Sequence, residues 1–333
     1  MMIYREMNSS GRMKPDSYVA VVGGVNIDIG GRPFHKLIER DSNPGNVSIG
    51  SGGVGRNIAH NLSLLGIRVR LLTAIGTDVN ALRVQADCAE AGIDIRHARK
   101  VPGAETATFL FINDENGDLS LAVSDMKICE MISPEYLKEQ RSVLDGACAI
   151  VMDANIPEES IRYLAETASV PLFADPVSVT KAVKFLPYLD RIHTFKPNAK
   201  EAGALSGTDV HDSASLRKAA GILLSKGVKN LYISYGKEGI LVGHKGGSRL
   251  YPSVSANARN MTGAGDSFMA GLVYSWCHGF SQADTMRFSA AVAAISVESE
   301  KTVNPELSAE AAAKRAGLEA GRSYSFRVLP SEK

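Results

Sequence analysis

Cysteine is scarce in this chain, tryptophan occurs once, and neither a run of one charge nor a long apolar stretch is present. Each absence removes a class of protein. Cys88, Cys129, Cys148 and Cys277 lie far apart with no C-x-x-C pair, so neither a disulfide framework nor a zinc site is indicated. They read as small buried hydrophobes in a reducing compartment. The seven histidines show no H-x-x-x-H or comparable ligand spacing. Lysine and arginine (37) balance aspartate and glutamate (36), a net charge of +1, which gives no electrostatic footprint for nucleic acid or a membrane surface. No apolar run approaches the length of a membrane span, and residues 1–16 lack the apolar stretch of a signal peptide. The expectation is a soluble cytoplasmic enzyme, one domain over residues 1–333 with a disordered tail at 1–16.

What is present is a rhythm. Short Val/Ile/Leu-rich runs at Tyr18–Val22, Val69–Ala74, Ala149–Asp153, Leu172–Asp175, His193–Lys196, Leu231–Tyr235 and Gly239–Gly243 alternate with helical patterns. Those patterns cover Gly55–Leu65, Ala81–Ala91, Pro157–Ala168, Ala199–Ser206, Ser213–Lys226, Gly265–Cys277 and Ser281–Ser299. Continuous apolar strands interleaved with helices predict an α/β fold whose mostly parallel sheet is covered on both faces. Two segments break the rhythm. Residues 32–51 are polar and turn-rich, and Thr106–Val123 reads as a hairpin turning at Asp114–Asp118. Together, over about residues 31–52 and 104–124, they predict a small β-lid at the sheet edge.

Two glycine turns carry chemistry. Asn260-Met-Thr-Gly-Ala-Gly-Asp266 runs directly into an apolar helix. Amides of Gly263, Ala264 and Gly265 at that N-terminus would attract an anion, and a carboxylate there would repel it. Asp266 makes sense beside a phosphoryl group if it takes a proton from the alcohol that attacks that group. A plain helix cap is the competing reading. The other turn, Gly50-Ser-Gly52-Gly-Val-Gly55, is a literal G-x-G-x-x-G with an acid, Asp78, at about the dinucleotide spacing. It does not follow the first strand, so the dehydrogenase reading fails on context, and no P-loop motif is present.

Ser51-Gly-Gly-Val-Gly-Arg-Asn-Ile-Ala-His-Asn-Leu-Ser-Leu-Leu-Gly66 resembles the N-terminal signature of the ribokinase-like (PfkB) carbohydrate and nucleoside kinases, and Asn260–Tyr274 resembles their C-terminal one. Between them, in the family's order, stand Asp175-Pro176, Lys196-Pro-Asn198-Ala-Lys-Glu201 and Ser234-Tyr-Gly236-Lys-Glu-Gly239, with Asn26-Ile-Asp28 ahead of both. Asp41-Ser-Asn-Pro-Gly45, Gly53-Val-Gly-Arg-Asn57 and Ser124-Asp125-Met126 are similar to the pseudouridine kinase branch.

The resemblance implies a ribokinase-like three-layer sandwich and ATP- and Mg2+-dependent phosphorylation of a nucleoside 5′-hydroxyl, that of pseudouridine. Ribose, adenosine or a ketohexose are alternative acceptors, and a nucleoside-binding sensor without turnover is the alternative from another class. Asp266 would be the general base, with Gly263, Ala264 and Gly265 holding the phosphoryl group. A free Asp is ionised at pH 7 and a weak base. Asp28 would bind the sugar diol, unless it forms an Asx turn with Asn26. Asn26, Gly52, Gly53 and Asn57 would line the ribose. Thr108 and Asp125 would meet the base, with a cap before Lys127–Ile132 the competing role for Asp125. Lys196, Asn198, Ser234, Gly236, Gly239 and Asn304 would serve ATP. Asn198 and Glu201 would hold magnesium, mostly through water; a cap plus surface Glu competes. Asn260 stands where many relatives have Asp, which leaves the monovalent cation open. The implied partners are small molecules and a second copy joined through the lid.

Overall fold

A computed structural model of the chain describes residues 17–318; the tail expected to be disordered, residues 1–16, lies outside them. The central sheet has nine strands, ordered Gly247–Tyr251, Ile240–His244, Asn230–Ser234, Thr194–Phe195, Leu172–Asp175, Ala149–Asp153, Val19–Val22, Val69–Leu72 and Ile93–Asp94. The last seven in this order are mutually parallel, and the first two close the edge antiparallel. The edge strand Gly247–Tyr251 escapes a hydrophobicity reading because Gly-Ser-Arg-Leu-Tyr is polar and largely exposed. Its neighbour starts at Ile240 rather than Gly239, which turns the chain at φ 116°.

Period-2 alternation sorts the strand side chains into two layers. Ala20, Val22, Ile150, Met152, Leu172 and Ala174 face one core with Ile161, Leu164, Leu205, Leu216 and Leu223 of the covering helices. Val19, Val21, Ala149, Val151 and Phe173 face the other, against Ile58, Leu62, Phe268, Leu272 and Val292. The result is helix–sheet–helix in three layers, the mixed α/β sandwich that the resemblance implied.

A second sheet holds four strands in the order Gly45–Gly52, Asn26–Pro33, Thr108–Asn113, Leu119–Asp125. It begins at Asn26, so Asn26 and Asp28 lie on a strand of this sheet and not in an Asx turn. The hairpin turns at Asp114–Asp118 as expected: Asp114 N–H donates to Asp118 O at 2.7 Å, and the Asp114 carboxylate accepts the Asn116 and Asp118 amides.

Candidate active site

The chain leaves Val19–Val22 toward Val69–Leu72 on one side, and Ala149–Asp153 pairs with the other side of the same strand. Such a reversal of strand order opens a crevice at the carboxyl ends of the strands. Asp153 closes the floor of that crevice. Its Oδ2 accepts Gly24 N–H at 2.9 Å and Gly55 N–H at 2.8 Å, and its Oδ1 accepts Asn155 N–H at 2.8 Å. Burial raises its pKa, opposed by those amide donors. Asp153 thus ties the first loop, the helix Val54–Leu64 and its own strand together. The sequence reading missed it, because an Asp ending a strand carries no local signal of partners so distant. Asn155 was missed for the same reason; it is buried beside Gly24 and accepts Lys181 Nζ at 2.6 Å.

Two helices aim their N-termini here, and both begin at a left-hand-side glycine with no side-chain cap. Gly53, at φ 98°, precedes Val54–Leu64, and Gly263, at φ 84°, precedes Ala264–Cys277. A Cβ on Gly53 would lie 2.5 Å from Gly24 O, and one on Gly263 would lie 2.3 Å from Thr302 O. Only glycine fits either place. The first intrahelical bond of the second helix runs from Ser267 N to Gly263 O, which leaves the Gly265 and Asp266 amides ahead of it. The Ala264 amide makes a long turn bond, 3.4 Å, to Met261 O.

The two signatures meet in one contact: Asn57 Nδ2 donates to Asp266 Oδ2 at 3.0 Å, across 209 positions of sequence. Asp266 is buried, and its pKa is pushed up to about 7. Desolvation is the main cause and Asp175 adds repulsion; the Asn57 hydrogen bond and Lys196 oppose them, and Asp153 adds further repulsion. This corrects the expectation of an ordinary weak carboxylate base. A base near neutrality is better matched to an alcohol proton. Lys196 is also buried and pairs with Asp175 at 3.1 Å. Burial disfavours its charge, yet Asp175 and Glu201 outweigh that and hold its pKa above the ordinary value. A Cβ on Gly265 would lie 3.0 Å from Lys196 Nζ, so this ammonium stands against the glycine turn.

The second sheet brings Asp28 to the same place. A Cβ on Gly52 would overlap the Asp28 carboxylate, and Asn26 Nδ2 donates to Asp28 Oδ1 at 2.6 Å. Burial raises the Asp28 pKa, opposed by Asn26 and then Arg56. Register partners share a face of a sheet. Asp28 pairs with Gly50 and Phe109, so Asp28, Phe109, Phe111 and Ser124 lie on one face, with the two rings 5.5 Å apart. Thr108 and Asp125 pair with Ile27 and each other, on the opposite face. Thr108 donates to Thr106 O at 3.3 Å, and Asp125 accepts Lys127 N–H at 3.3 Å, two residues on, while Met126 is the N-cap of the short helix Lys127–Met131. Asp78 caps the helix Val79–Glu90 and binds Thr106, which accounts for that acid without a dinucleotide.

On the expected nucleotide side, Lys196, Asn198 and Ser234 adjoin: Ser234 N–H donates to Pro197 O at 3.1 Å, and Asn198 bridges to Ser234. Asn198 and Glu201 close a reciprocal capping box on Ala199–Ser206, with Asn198 N–H to Glu201 Oε2 at 2.7 Å and Glu201 N–H to Asn198 Oδ1 at 2.9 Å. Glu201 is buried, which raises its pKa. No group of three or more His, Cys, Asp or Glu able to hold a metal occurs among the described residues. Gly236 (φ 55°) and Gly239 (φ 116°) shape the tight turn between Asn230–Ser234 and Ile240–His244. Asn304 is buried and engaged by the protein itself: Nδ2 donates to Ile295 O at 2.7 Å and Oδ1 accepts Glu306 N–H at 3.0 Å. Asn260 likewise donates to Glu300 O and accepts Thr262 N–H.

Residues 16–309 match the model of the pfkB family carbohydrate kinases. The chain belongs to that family. It is therefore a phosphotransferase with a hydroxyl group as acceptor. It is 37% identical over 298 residues to the pseudouridine kinase of Escherichia coli K12, covering 89% of this chain and 95% of that one. It is 34% identical over 314 residues to a sugar kinase of the same strain, YeiI, covering 92% and 87%. A carbohydrate kinase structure from Agrobacterium tumefaciens superposes with a TM-score of 0.78 at 28% identity, covering 91% and 97%.

Proposed function

We propose that this PfkB kinase transfers the γ-phosphoryl group of ATP to the 5′-hydroxyl of pseudouridine. The observation that carries the chemistry is the Asn57–Asp266 contact, which joins the acceptor side of the crevice to a buried carboxylate poised near neutrality. In this reading Asp28 accepts hydrogen bonds from the ribose diol. Gly52, Gly53 and Asn57 fix the ring close to the backbone. The 5′-oxygen attacks the phosphorus while its proton passes to Asp266, and ADP leaves. Lys196 and the amides beside Gly265 balance the charge on the migrating group. Ser234, Gly236 and Gly239 take the nucleotide, whereas the engagement of Asn304 makes it a scaffold for that region. Magnesium supplies charge neutralisation on the phosphates when bound. Glu201, with one carboxylate oxygen outside its cap, suits a cation that keeps most of its waters. Dependence on ATP supports a cytoplasmic location; no described helix is long and apolar enough to cross a membrane.

Support for pseudouridine over ribose or adenosine comes from the similarity to the E. coli pseudouridine kinase and from Phe109 and Phe111 on the Asp28 face, which offer a base a surface to stack on. The second sheet acts as a lid in this account. The test is a panel of acceptors with ATP and magnesium, read as nucleoside 5′-phosphate. Preferred turnover of ribose, adenosine or a ketohexose would replace the substrate, and no product with any acceptor would favour a binding protein. Asp125→Ala separates its two roles: unchanged preference for pseudouridine over uridine leaves it as a partner of the Lys127 amide alone.

The opposite face of the lid carries Val47, Ile49, Leu110, Ile112, Leu121 and Val123, all exposed. An exposed apolar row on a small sheet calls for a cover, and a second copy meets it with the same surface by two-fold symmetry. We infer a lid-to-lid homodimer. Sedimentation should show a dimer that Leu121→Glu converts to monomer.

A further inference from the structure

Arg56 is a buried charge that the proposed mechanism does not use. Its side chain is 92% buried by residue exposure (8% accessible), and Nε has no hydrogen-bond partner. Nη1 donates to Asn57 Oδ1 at 3.3 Å, and Asn57 then donates from Nδ2 to Asp266 Oδ2 at 3.0 Å. No carboxylate lies within ion-pair distance of it among the described pairs. Desolvation lowers its pKa, opposed by the nearby Cys88, Asp87 and Asp28. A guanidinium this poorly paired costs stability, so its retention calls for a role.

We infer that Arg56 is a positioning residue that fixes the Asn57 amide in the one orientation that points its NH2 at Asp266. An amide is nearly symmetric in shape, so packing alone discriminates poorly between its two flips. Only the observed flip donates to an ionised carboxylate; the other aims a carbonyl oxygen at it. Arg56 cannot accept a hydrogen bond, so it locks the oxygen of Asn57 to itself and the donor to the base. The same cation opposes the burial that raises the Asp28 pKa. One guanidinium therefore tends both the carboxylate read as the diol ligand and the carboxylate read as the base.

The groups facing each charge define the pH effect. Asp266 faces Asp175, Asp153, Lys196 and Asn57, and Arg56 faces Asp28, Asp87, Cys88 and the neutral His60, whose pKa burial lowers to about 4. The base works ionised, so activity falls as pH drops through its pKa. Loss of the Asn57 donation favours the protonated acid and moves that acid limb to higher pH.

This inference rests on Asp266 as base, and the experiment keeps the two apart. Rates are measured against pH for the full chain and for Arg56→Met, Arg56→Lys, Asn57→Ala and the Arg56→Met/Asn57→Ala double variant. Nucleoside binding is followed by calorimetry, and folding by circular dichroism. The expectation for Arg56→Met is an acid limb raised by about one pH unit, the scale of one charge-assisted hydrogen bond. At pH 6 kcat then falls about tenfold, and it recovers at pH 9. Arg56→Lys should restore part of the shift, and adding Arg56→Met to Asn57→Ala should move the limb no further. A limb that stays put in Arg56→Met and Arg56→Lys, or shifts that add in the double variant, would overturn the inference while leaving the base intact. A parent-like Asp266→Asn enzyme would instead remove the base itself. If Arg56→Met fails to fold, Arg56→Lys and Arg56→Gln carry the same comparison.

Discussion

Two helix starts were expected to serve the phosphates, one through its own amides and one through Asn198, Glu201 and magnesium, and the fold treats them in opposite ways. Ala264–Cys277 begins at Gly263, which has no side chain to cap with, so the first amides stay available. Ala199–Ser206 begins at Asn198, whose capping box with Glu201 occupies the Asn198 and Glu201 amides. Side-chain caps also stand at Asp78, Ser133, Ser178, Asp212, Ser281 and Ser308. A helix that must receive an anion forgoes a cap worth about 1 kcal/mol, and one that must only hold its place keeps it. The open turns at Gly53 and Gly263 stand where acceptor and phosphoryl chemistry is expected, while Arg141–Asp145 and Glu158–Thr167 also start without a side-chain cap, at Gln140 and Pro157, so an open start alone does not mark a site.

The sharpest way to break this contrast is Asp266→Asn. We expect kcat to fall by about 10³-fold, within the usual range for a general base, with nucleoside affinity and fold retained. Rapid-quench assay of 5′-phosphate formation beside a binding titration decides it; an equal fall in affinity would make Asp266 a binding residue. Next comes Gly263→Ala. It forces alanine to φ 84° and into Thr302 O, so we expect about 2 kcal/mol of lost stability and about 10²-fold lower kcat. A normal melting curve with normal turnover would show that the turn tolerates a side chain.

Stability against pH sharpens the same point. The folded-state pKa of Asp266 lies above its unfolded value, so its contribution is fully present below pH 3.8 and is lost as pH rises toward 7. Asparagine escapes that loss. The melting temperature of Asp266→Asn should therefore gain on the parent from pH 5 to pH 8, and a constant gap would mean that the carboxylate titrates normally.

The smallest effects belong to the closed terminus and its surroundings. Glu201→Gln can keep the capping box, so its melting temperature should match the parent while the magnesium needed for half-maximal rate increases. Glu201→Ala loses about 1 kcal/mol as well. Asn304→Ala should cost about 1–2 kcal/mol through its two buried hydrogen bonds and leave the KM for ATP unchanged. A raised KM there would restore Asn304 to the nucleotide site.

The architecture was legible where the signal is local. Val19–Val22 and Ala149–Asp153 announce themselves as doubly buried strands, and both glycine signatures stand in the sequence at the helix starts where the structure has them. What stayed hidden is non-local. The Asp266 pKa comes from burial and from Asp175 and Asp153, residues far away in sequence. The Asp153 clasp joins positions 98 and 129 residues distant. The face of Thr108 depends on strand register, which alternation alone leaves two-valued.

The span of 209 residues between Asn57 and Asp266 also bears on biogenesis. A ribosome that has released the amino-terminal signature has yet to make the carboxylate it must meet. Asp153 can already tie Gly24 and Gly55 in a fragment that stops short of Asp266, but that fragment lacks the carboxylate that Asn57 meets. Catalytic competence should consequently emerge late and abruptly during refolding, together with the final long-range pairings and not before them.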